Sequence, residues 1–127
     1  MKRLNQKIYS EFEQFPTSVA YTQICVLAVG DMEEWRQQHQ ITPTQGLAFL
    51  AFGEVSQDAL DEMRPVIVVS SLLSKGFDCI DLATRLHGLG FSGEYRAIAN
   101  GIPRPEVIER EVHQLCPQLN FRVVDSL

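Results

Sequence analysis

The chain alternates short apolar runs with amphipathic segments. Residues 24–29 (ICVLAV), 47–52 (LAFLAF) and 66–69 (VIVV) are unbroken apolar runs of strand length. Such runs predict strands buried on both faces. Residues 95–99 (YRAIA) and 121–124 (FRVV) predict two more strands. Between them lie helical segments with recognisable ends. Asp31 precedes residues 32–39 and places a capping carboxylate ahead of Glu33 and Glu34. Ser56 caps residues 57–63, which Arg64 and Pro65 terminate. Asp78 caps residues 79–87, whose Ile80, Leu82, Ala83 and Leu86 form one apolar stripe. Pro105 opens a helix over residues 106–115, and Pro117 ends it. Loops are expected at residues 42–46, at Lys75 and Gly76, and at Asn100, Gly101 and Pro103.

The resulting order is β-α-β-α-β-α-β-α-β, which predicts an α/β fold with a parallel sheet and helices on both faces. Ahead of it, Leu4, Ile8, Phe12 and Phe15 recur at helical spacing until Pro16, so residues 1–21 read as an N-terminal helical extension. The remainder, 22–127, reads as one α/β domain.

Composition narrows the functional classes. The 127 residues carry a net charge of −5, which argues against broad binding to nucleic acid or to an anionic membrane. No apolar stretch approaches the roughly 20 residues of a membrane span. The start MKRLNQKIYSEFEQF lacks the apolar core of a signal peptide. Cys25, Cys79 and Cys116 are widely spaced with no C-x-x-C pair, which predicts reduced thiols and a cytoplasmic setting. His39, His87 and His113 are scattered and lack metal-ligand spacing. The glycines of HGLGFSG, residues 87–93, follow a helix and precede a strand. That order predicts a helix stop rather than a phosphate loop. No G-x-S-x-G elbow accompanies Ser70 or Ser71.

One stretch carries a family resemblance. Pro65, Val66, the run Ile67-Val68-Val69-Ser70, then Ser71, Leu72-Leu73-Ser74-Lys75-Gly76 and Phe77-Asp78-Cys79 follow one another without a gap. In this spacing the segment resembles the receiver domains of bacterial two-component response regulators. The resemblance implies a flavodoxin-like, doubly wound, five-stranded parallel sheet, and it places Ser71 at the phosphoacceptor position. Receivers carry an acidic pair after the first strand; here Asp31 stands alone behind Gly30. Where the fourth receiver strand ends in Thr or Ser, this chain has Ala99 and Asn100. Where the fifth ends in a phosphoryl-contacting Lys, FRVVDSL has none. The family's last helix has no counterpart.

The resemblance therefore implies a degenerate site at Asp31, Ser71, Ala99 and Asn100. The function expected is a non-catalytic signalling module that needs no metal or cofactor and binds a protein partner or a second copy. Arg96, Arg104, Glu106 and Arg110 form the expected partner surface, with Arg104 presented between Pro103 and Pro105. An alternative is a small-molecule binder or enzyme using the crevice at the strand ends, and a third is a phosphorylated response regulator. Without a last helix, one sheet face is expected to be apolar and to need cover from residues 1–20 or a second subunit.

Overall fold

The computed structural model describes residues 25–39 and 46–126. The N-terminal extension and most of the 42–46 loop lie outside these residues. The elements are β1 (Val26–Val29), α1 (Met32–His39), β2 (Leu47–Leu50), a 3-10 turn (Phe52–Glu54), α2 (Gln57–Met63), β3 (Ile67–Ser71), β4 (Leu73–Ser74), β5 (Phe77–Asp78), α3 (Cys79–Gly88), β6 (Glu94–Ile98), α4 (Pro105–Leu115) and β7 (Asn120–Val124). Five strands form a parallel sheet in the order β2-β1-β3-β6-β7, while β4 and β5 form a separate antiparallel hairpin. The α/β class and the parallel sheet thus match the expectation from sequence. The chain divides into two compact units, Met1–Val66 and Ile67–Leu127.

In the first unit β1 and β2 pair from Val26↔Leu47 to Val29↔Leu50. Asp31 caps α1 by accepting the Glu33 N–H at 2.8 Å. The apolar run 47–52 does not stay extended to its end. Phe52 leaves the strand for the 3-10 turn, and the Glu54 carboxylate accepts the Ala51 N–H at 2.9 Å. Ser56 caps α2 through the Ala59 N–H. Arg64 closes α2 in the left-handed region, with φ 48°.

In the second unit β3 pairs with β6 and β6 with β7. Strand three runs over Ile67–Ser71 rather than 66–69, so both serines belong to it. Asp78 and Asp81 form a reciprocal capping box at the start of α3, at 2.9 and 3.0 Å. Helix α3 ends with two bonds, Phe91 N–H to Leu86 C=O and Gly90 N–H to His87 C=O. Those two bonds and Gly90 at φ 81° make a Schellman stop, as the glycine pattern predicted.

One expectation needs correction. Lys75 and Gly76 are not part of an open loop but form the turn of the β4–β5 hairpin, with Leu73 opposite Asp78 and Ser74 opposite Phe77. Gly76 has φ 88°, the positive value that the third position of a type II turn requires. On β6 and β7, Tyr95, Ala97 and Phe121 are buried on one face, while Glu94, Arg96, Asn120 and Arg122 share the other with Ile98 and Val124.

All three cysteines are buried and unpaired with one another. Burial pushes the Cys25 thiol from its ordinary value near 9 up to about 11. It does the same to Cys79, which the neighbouring Asp78 charge raises further.

Two outcomes follow for stability. Arg64→Gly removes the left-handed strain and should stabilise the fold by about 0.5–1 kcal/mol in urea unfolding. Between about pH 9 and 11 the unfolded chain has released thiol protons that burial makes the native state keep, and this favours unfolding. Stability should therefore be full below pH 9 and decline as pH rises from about 9 to 11, measured by unfolding across that range. Cys25→Ala should flatten that decline.

Candidate functional site

The residues of the expected site divide between the two units. In the first, Gly30 and Asp31 follow β1. Gly30 adopts φ 141°, and a Cβ there would stand 3.1 Å from the Trp35 Nε1. Trp35 is the only tryptophan in the chain. It is buried, donates its indole N–H to the Val29 carbonyl at 3.2 Å, and meets Phe49 edge-on at 6.3 Å. Glycine is needed because the indole packs down onto the strand end. Asp31 is exposed, and one of its oxygens is engaged by the first turn of α1. Among the described residues no group of three or more His, Cys, Asp or Glu side chains is placed to hold a metal ion.

In the second unit Ser71 ends β3 and is 7% exposed. It lies opposite Ile98, so Ala99 and Asn100 are the next two residues at the same end of the adjacent strand. The Ala99 N–H is bound to the Val124 carbonyl, and Asn100 is exposed. Three of the four expected residues thus gather at one end of the β3–β6 pair. The backbone is pinned there too: the Leu72 N–H reaches Ile98 C=O, and the Leu72 carbonyl accepts the Cys79 N–H, both at 2.9 Å. Phe77 is buried at the hairpin.

The sequence reading missed the polar pair that anchors this end. Ser70 is fully buried, and its Oγ lies 2.6 Å from the Tyr95 hydroxyl. The same Oγ donates to the Ser71 carbonyl at 2.9 Å. A serine hydroxyl has one proton, so the Tyr95 hydroxyl supplies the other bond. The result is a relay from Tyr95 to Ser70 to the Ser71 carbonyl. Register explains the contact: Tyr95 sits opposite Val68, one diagonal step from Ser70 on the same face. Phe121 packs on the Tyr95 ring at 5.1 Å. Burial drives the Tyr95 phenol far above its usual range, so it stays a neutral donor. The signal in sequence was the alternation Glu94-Tyr95-Arg96, which turns Tyr95 inward, where its hydroxyl needs a partner.

The four residues of the expected partner surface do not all share one location. Arg104 lies 3.8 Å from Glu106, and both are exposed. Arg110 is exposed on the same helix, α4. Arg96 instead lies on the polar face of β6 and is paired to Glu94.

The relay yields an ordered pair of outcomes. Ser70→Ala leaves both the Tyr95 hydroxyl and the Ser71 carbonyl without their partner and should cost about 2–3 kcal/mol. Tyr95→Phe removes one bond while Ser70 keeps its acceptor, and should cost about 1 kcal/mol. The double variant should cost less than the sum, read by chemical denaturation.

No protein-family model matches this chain, and neither a curated protein nor a solved structure matches it.

Proposed function

We propose that this chain is a receiver-like module without phosphotransfer chemistry that acts by binding another protein. The observation that carries the reading is Ser71, a buried hydroxyl at the end of β3, where the resemblance puts a phosphoacceptor carboxylate. With the hairpin strands left aside, the order β2-β1-β3-β6-β7 becomes 2-1-3-4-5, the order of flavodoxin-like sheets. It supports a doubly wound arrangement with helices on both faces.

The chemistry argues the same way. An acyl phosphate needs a carboxylate nucleophile and a divalent cation held by several oxygens. Ser71 provides no carboxylate. Asp31 has an oxygen committed to the Glu33 N–H, and β7 ends without a lysine. A partner is best met by the turn and helix bearing Arg104, Glu106 and Arg110, whose charged side chains are exposed on a rigid element.

Beryllofluoride with magnesium, a mimic of the phosphorylated carboxylate, tests this reading. Titrated into the isotope-labelled chain, it should leave the amide resonances of Ser71, Ala99 and Asn100 unmoved. Ser71→Asp should be equally inert, because one restored carboxylate does not supply the cation ligands. A saturable shift at those three amides in the wild-type chain would refute the proposal.

A further inference from the structure

Among the described residues, strand β7 is an edge of the five-stranded sheet. An edge strand presents unpaired N–H and C=O groups on which another strand can build. In a parallel ladder the backbone groups of successive residues point alternately to one side and the other. The Val124 carbonyl accepts the Ala99 N–H and so faces inward, toward β6. The groups of Val123 therefore face outward. There the Glu109 carboxylate of α4 accepts the Val123 N–H at 2.9 Å, in a half-buried position 14 residues away in sequence.

We infer that Glu109 is an edge guard, a side chain that occupies the outward donor of β7 and keeps the strand closed to strand addition. The bond satisfies the outward N–H of Val123, so an incoming strand must displace it to begin pairing. The helix holds the guard firmly. Val112, three residues further along α4, is fully buried, and α4 packs along β7. The remaining edge is well suited to self-pairing once the guard is removed. In the two-fold antiparallel register centred on Val123, Arg122 faces Val124 of a second copy, so no like charges meet. The inference does not depend on the receiver-like reading.

The test compares the full chain with its Glu109→Ala and Glu109→Gln variants by sedimentation and by amide hydrogen exchange. In the wild type the Val123 amide should exchange at least ~10-fold more slowly than an unprotected amide, although its strand lies at the edge. Glu109→Ala should show a mass that rises with concentration above that of the wild type, accompanied by concentration-dependent protection of Val123. Glu109→Gln keeps an acceptor oxygen and should behave as the wild type. The inference is overturned by an unprotected Val123 amide in the wild type, which decides the matter even where Glu109→Ala does not fold. It is equally overturned by a folded Glu109→Ala whose mass matches the wild type at all concentrations, or by a Glu109→Gln that self-associates.

Discussion

A parallel strand cannot turn directly back beside its neighbour, and this constraint governs the rest of the chain. Each of the five parallel strands except the last must be followed by a crossover, and the cheapest crossover is an amphipathic helix. The helices need sharp ends so that each next strand starts at the right place. That is why side-chain caps are spent so freely here: Asp31 on α1, Ser56 on α2 and the Asp78–Asp81 box on α3. The carboxylate of Asp31 is thereby given to helix geometry.

The end of β3 shows the same trade. Two serines at the close of an apolar strand are costly unless their hydroxyls find partners. Ser70 meets that cost by joining the Tyr95 hydroxyl to the Ser71 carbonyl, inside a wholly buried layer. The hairpin that follows is pinned by Leu72 on one side and by the Asp78 cap on the other. The segment between β3 and α3 is therefore a built piece of structure.

Much of the fold was legible in the order of residues. Three apolar runs and the segments YRAIA and FRVV marked all five parallel strands to within two residues at either end, and Ser, Asp, Gly and Pro marked the helix ends. Failures occurred where a short-range bond or turn overrode the apolar pattern. Phe52 belongs to an apolar run, yet the Glu54 carboxylate draws the Ala51 N–H into a turn. Lys75-Gly76 reads as a loop, but Ser74 and Phe77 close it into a hairpin. Of the site, the placing of Ser71, Ala99 and Asn100 at strand ends could be read from the sequence, whereas the partnership of Ser70 with Tyr95, 25 residues apart, could not.

The sequence by itself determined the element order, the helix caps and the identity of the group at the end of β3, because periodicity and capping act over a few residues. Only the tertiary structure decided which strands adjoin and which faces are wet. It paired Tyr95 with Ser70 and set Glu109 against the edge of β7. Those outcomes depend on register between strands and on how a helix lies along them. Both are fixed by the simultaneous burial of distant side chains, a quantity that no local stretch of the chain contains.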